Sequence, residues 1–84
     1  MHINITDNND TVHPVVCEPE LSINGRMITS MEEAIEEIDR VISVKNNEPS
    51  AWHFCPLFFR TSTSMVAFDA RNVKSYEIIP DIQE

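Results

Sequence analysis

Only one stretch of this chain carries a helical period. Met31, Ala34, Ile35, Ile38, Val41 and Ile42 recur at the i, i+3, i+4, i+7 spacing that lines one side of an α-helix. Ser30 stands before the stretch and Glu33 three positions on, a capping-box pattern. Asn46-Asn47-Glu48-Pro49-Ser50 breaks it at the other end. The spacing therefore predicts a helix from about Met31 to about Lys45. A lone helix cannot bury its apolar stripe against itself, and 84 residues leave room for one small domain only. The other layer must be a sheet, and the expected fold class is α+β.

Strand signals lie on both sides of the helix. Asn24-Gly25, between Leu21-Ser22-Ile23 and Arg26-Met27-Ile28, is a two-residue hairpin turn, because both residues accept positive φ. Gly25 is the only glycine in the chain, which excludes glycine-rich phosphate loops and flexible glycine linkers. After the helix, the runs 52–60, 65–68 and 73–79 are rich in aromatic and branched residues. Thr61-Ser62-Thr63-Ser64 and Asp69-Ala70-Arg71-Asn72 separate them as polar turns. Strand, turn, strand, turn, strand predicts a three-stranded antiparallel meander, bent or at an edge where Pro56 removes a donor. The expected architecture is a short β-ribbon and one amphipathic helix packed on that meander, Ile35 and Ile38 above Phe59 and Phe68. Residues 1–14 are polar, with no periodic apolar pattern. They are expected to be a mobile N-terminal tail, or a strand only if something pairs with them, with 15–84 forming the single α+β domain.

The charge is strongly acidic and unevenly placed. The chain holds 14 acids and 6 bases, a net charge of −8. Residues 1–50 carry ten of the acids and three of the bases. Such a surface repels nucleic acid and anionic membranes and attracts basic proteins. No apolar run is long enough to span a membrane, and the opening MHINITDNNDTVHP lacks the basic and apolar regions of an export signal. A cytoplasmic location is expected, with Cys17 and Cys55 as free thiols.

Three constellations stand out. On the helix, Glu32, Glu33, Glu36, Glu37 and Asp39 crowd the face opposite the apolar stripe. Glu32 with Glu36, and Glu33 with Glu37, are like-charge i, i+4 pairs, and only Glu36 with Arg40 is a favourable one. Early acids suit the positive end of the helix dipole, so a solvated surface helix accounts for Glu32 and Glu33. It accounts less well for the rest, and a row of carboxylates suits a basic groove. On this reading, replacing Glu33 and Glu37 with lysine relieves repulsion and keeps or slightly raises stability. Second, His13, Cys17, His53 and Cys55 could in principle surround a zinc ion, but their spacing matches no common finger, and no metal or other cofactor is expected. Third, Trp52, Phe54, Leu57, Phe58 and Phe59 put apolar residues on both sides of a regular strand. Either Pro56 shifts the register, or one side faces the helix and the other meets a partner or a second copy; the run is read first as the core strand of a small domain, with Trp52 and Phe58 as a possible second interface.

No catalytic motif is present, so an enzyme is not expected. Ile23-Asn24-Gly25, Ile28 and Ser30, followed by the amphipathic helix, resemble the opening strand–turn–helix of barstar-type inhibitors over less than a quarter of the chain. The antiparallel meander departs from that fold. In general character the chain is similar to the short acidic proteins of phages and mobile elements that inhibit host defence or host DNA-handling enzymes. The expected function is a non-enzymatic inhibitor or modulator acting stoichiometrically. It would present Glu32, Glu33, Glu36, Glu37 and Asp39 to a basic, nucleic-acid-binding site on a partner protein, with no direct contact to nucleic acid or membrane. The alternative is a homodimeric structural or regulatory subunit associating through its aromatic β face.

Overall fold

The computed structural model describes residues 1–47 and 56–80. Along the chain run β1 (His2–Asp7), β2 (Val12–Val15), β3 (Ser22–Ile23), β4 (Arg26–Met27), α1 (Met31–Asn47), β5 (Pro56–Arg60), β6 (Met65–Asp69), a 3-10 turn (Ala70–Asn72) and β7 (Val73–Ile79). The strands form two antiparallel sheets, ordered β2-β1-β7 and β4-β3-β5-β6. The class is α+β, with strands dominating.

Residues 1–14 are not a tail. β1 is the central strand of its sheet, with Ile3 opposite Val15 on one side and Ile78 on the other. Ile3 and Ile5 are 1% and 0% exposed. The physical reason is alternation: Ile3-Asn4-Ile5-Thr6 puts both isoleucines on one side, although the average composition is polar. The loop to β2 is built from its own acids. The Asp10 amide donates to the Asp7 carbonyl at 3.0 Å, and Asp10 then takes a positive φ of 64°. The Asp7 carboxylate accepts from the Asn9 and Thr11 amides at 2.8 and 3.0 Å, so the run 7–10 that looks disordered is a closed turn.

The meander is also incomplete. β5 and β6 form the expected hairpin, joined by a loop in which Thr61 Oγ1 accepts from the Thr63 and Ser64 amides. β7 spans the expected residues but pairs with β1 instead of β6. Residues 69–72 carry no pair that suits a tight hairpin turn. Asp69 instead caps the 3-10 turn by accepting from the Arg71 amide, and the buried Ala70 anchors it. The chain is thereby redirected from one sheet to the other.

α1 starts where the capping pattern puts it. Ser30 Oγ accepts from the Glu33 amide at 3.2 Å. The Glu33 carboxylate reaches back to the Thr29 amide, one residue before the cap. The helix packs on β3, β5 and the 3-10 turn. Ala34, Ile38 and Val41 are buried, and Ile35 and Ile42 are half-buried. One apolar cluster joins both sheets and the helix, with Ile5, Ile23, Ile38, Leu57 and Phe59 at its centre. Phe68, half-buried, meets Phe59 edge to face at 5.9 Å between ring centres.

Candidate functional site

The carboxylates of α1 divide into two groups, and the β3–β4 hairpin decides the division. Asn24 and Gly25 take φ of 51° and 84°, the two positive values a type I′ turn requires. The Asn24 side chain locks the turn to β5. Its Nδ2 donates to the Pro56 carbonyl at 3.1 Å, and its Oδ1 accepts from the Phe58 amide at 2.7 Å. A two-residue turn sets Arg26 directly across from Ile23, on the side of the sheet that faces the helix. Its guanidinium lies 3.4 Å from Glu33, and 3.6 Å from Glu36 and from Glu37.

Glu37 is 5% exposed, and a carboxylate taken out of water needs compensating partners. Arg26 supplies one, and Arg40 the other, through Nε at 2.9 Å and through Nη2. Arg40 thus pairs three residues back with Glu37, not four residues back with Glu36. Glu33 accepts from the Thr29 hydroxyl and amide as well as meeting Arg26. These hydrogen bonds, with the Arg26 charge added, hold its carboxyl below the usual range. Asp39 accepts from the Tyr76 hydroxyl of β7. Burial pushes that phenol up to about 12, and the Asp39 hydrogen bond and charge push the same way.

Of the five carboxylates, Glu37 is buried and Glu33 half-buried, while Glu36 and Asp39 meet Arg26 and Tyr76 from exposed positions. Glu32, Glu36 and Asp39 remain on the solvent side at i, i+4, i+7. The expectation that lysine at 33 and 37 keeps stability does not survive this geometry. Those lysines would stand beside Arg26 and Arg40 and leave the Thr29 amide and hydroxyl without their acceptor. No local signal in the sequence points to Arg26, because its role depends on the hairpin folding back onto the helix seven residues later.

On β5, Leu57 and Phe59 face the core and Phe58 faces outward, so apolar residues do occupy both sides. Phe58 is half-buried and stands opposite Ala67. The exposed Met27 and Met65 lie on this outer face too. Trp52, Phe54, His53 and Cys55 lie outside the described residues.

A cleft of about 230 Å³ opens between the sheets, lined by Ile5, Asp7, His13, Phe68, Asp69 and Asn72 among others. His13 Nε2 and Asp7 Oδ2 are 2.8 Å apart, and the His13 ring meets Phe68 edge on at 5.6 Å. The His13 hydrogen bond, helped by the Thr11 amide, holds the Asp7 carboxyl below its usual range. Among the described residues, no hydroxyl, thiol or amine side chain lines the cleft. The pair acts as a fastener that closes the β1–β2 loop and bridges the sheets through Phe68. Cys17 lines a separate groove of about 370 Å³ with Met1, Leu21 and Met31, so the structure does not bring it to His13. Among the described residues, no three His, Cys, Asp or Glu side chains converge as metal ligands, and no helix is long and apolar enough to cross a membrane. No protein-family model matches the chain, and no curated protein or solved structure is significantly similar to it.

Proposed function

We propose that the protein is a non-enzymatic binding module that acts stoichiometrically on a basic surface of a partner protein, of the kind that holds a nucleic-acid backbone. One observation carries this reading. Glu32, Glu36 and Asp39 stay exposed in one row on the solvent side of α1, although Arg26 also meets Glu36 and the Tyr76 hydroxyl donates to Asp39. The Glu36 side chain is 62% exposed even with Arg26 at 3.6 Å. Phosphates of a nucleic acid and carboxylates at this spacing make the same demand on a basic groove. A net charge of −8 steers the approach. Arg71 and Lys74 are ion-paired as well, to Asp69 and Asp10.

The test is charge reversal at the solvent-facing positions. Glu32→Lys with Glu36→Lys is compared with wild type in capture from lysate at low and high salt. The expected result is a basic partner held by wild type at low salt, released as salt rises, and lost by the double variant. The melting temperature of the variant is measured alongside, because Glu36→Lys also sets a like charge beside Arg26, and capture is compared where both proteins are folded. Equal capture of the same partner by both proteins would remove the helix row as the binding surface.

A further inference from the structure

We infer that β6 is a docking edge for a second copy of this chain, the two β6 strands pairing antiparallel into one continuous sheet. β6 ends its sheet, with β5 on one side and no strand on the other among the described residues. The direction of its backbone groups follows from β5. The Phe58 amide and carbonyl are both engaged by Asn24 on the β3 side, at 2.7 and 2.8 Å. Neighbouring residues of a strand alternate direction, so Leu57 and Phe59 turn their backbone groups to Phe68 and Val66 of β6. Met65 and Ala67 therefore aim their N–H and C=O groups away from β5. Among the described residues nothing hydrogen-bonds to them.

Edges are ordinarily guarded by proline, charge, a bulge or shortness. The other three edges here are guarded. β2 holds Pro14, β4 has two residues, and β7 carries Lys74 and Glu77. β6 has no proline and no charge from Met65 to Phe68, and its register with β5 is unbroken. Met65 is 66% exposed and Val66 39%.

The identity of the occupant follows from charge and symmetry. A two-fold axis through Ala67 sets Ala67 against itself and Val66 against Phe68 of the second copy, so each outward N–H meets a C=O. The same axis sets Met65 against Asp69 of the second copy. That Asp69 keeps its own Arg71, so the pairing brings no unpaired acid to the axis. The edge is locally neutral on a chain of net charge −8, which suits an equally neutral strand.

The experiment measures the mass of the full chain by sedimentation from micromolar to about 1 mM, against Ala67→Pro and Ala67→Lys. Proline removes an outward N–H without touching the β5 ladder. Lysine sets two like charges face to face across the axis. The expected result is a wild-type dimer that strengthens with salt, because salt screens repulsion between two acidic bodies. Both variants should weaken it at least about tenfold while keeping the wild-type circular dichroism spectrum. Slowed hydrogen exchange at the Met65 and Ala67 amides, appearing only at dimer concentrations, is a readout independent of either variant. A chain monomeric at about 1 mM, or a dimer that Ala67→Lys leaves intact, overturns the inference. The salt response separates it from the helix-row reading, in which salt weakens binding.

Discussion

Replacing Ile5 by alanine tests the point at which the structure departs furthest from the composition of the chain. Ile5 lies at the middle of β1, 0% exposed, with His13 across one ladder and Tyr76 across the other. Truncating a fully buried isoleucine removes its transfer energy and leaves a cavity, at a cost of about 2–5 kcal/mol. A domain of this size has a total stability of about 4–13 kcal/mol at 0.05–0.15 kcal/mol per residue. One substitution should thus remove a large share of it. Ile5→Val should cost about 0.5–1.5 kcal/mol, and Glu77→Ala, on the exposed side of β7, within about 0.5 kcal/mol of zero. Urea unfolding followed by far-ultraviolet circular dichroism gives all three numbers, and an unchanged slope keeps them comparable. Deleting residues 1–7 removes the strand between β2 and β7, and no cooperative transition should remain. If Ile5→Ala costs less than about 1 kcal/mol, or the deletion keeps the wild-type midpoint, β1 is not part of the core and the two-sheet account fails.

Glu37→Lys should cost about 1–3 kcal/mol in the same assay, because it replaces a buried carboxylate between two guanidiniums with a like charge. Glu32→Lys should be near neutral, and that contrast between adjacent faces of one helix is the measurement to make. Stability should fall as pH drops from about 5 to 3. The Asp7 and Glu33 carboxyls are held below their usual range in the folded state, so the unfolded chain binds more protons there, and Asp7→Asn with Glu33→Gln should flatten the profile. Tyr76 is the only tyrosine, so its ultraviolet absorbance titration should show a single midpoint near 12. Asp39→Asn should lower that midpoint part of the way, since burial is the larger cause and remains. The raised phenol also makes alkali destabilising above its ordinary value of 10, where the unfolded chain ionises first.

The sequence by itself determined what depends on neighbours in the chain. The helix and its Ser30 cap, the Asn24-Gly25 turn, the Thr61–Ser64 loop and the span of β7 are all set by hydrogen bonds or periodicity within a few residues. Period-two alternation set Phe58 on the side opposite Leu57 and Phe59, and the structure turns that side outward and half-buries it. What the tertiary structure decided is which strand meets which. A strand such as Ile3-Asn4-Ile5 offers the same pattern of donors and apolar groups to any antiparallel neighbour. β7 pairs with it, more than 60 residues away, because the 3-10 turn diverts the chain and the shared core rewards that closure. The helix carboxylates were sorted by the same kind of event. Glu36 and Glu37 are adjacent and chemically alike, yet Glu37 is buried and Glu36 is 62% exposed on its side chain, because Arg26 arrives from a hairpin that local sequence could form but not aim. Turn type is local geometry, whereas the direction in which a turned ribbon packs is set by the apolar surface it must cover.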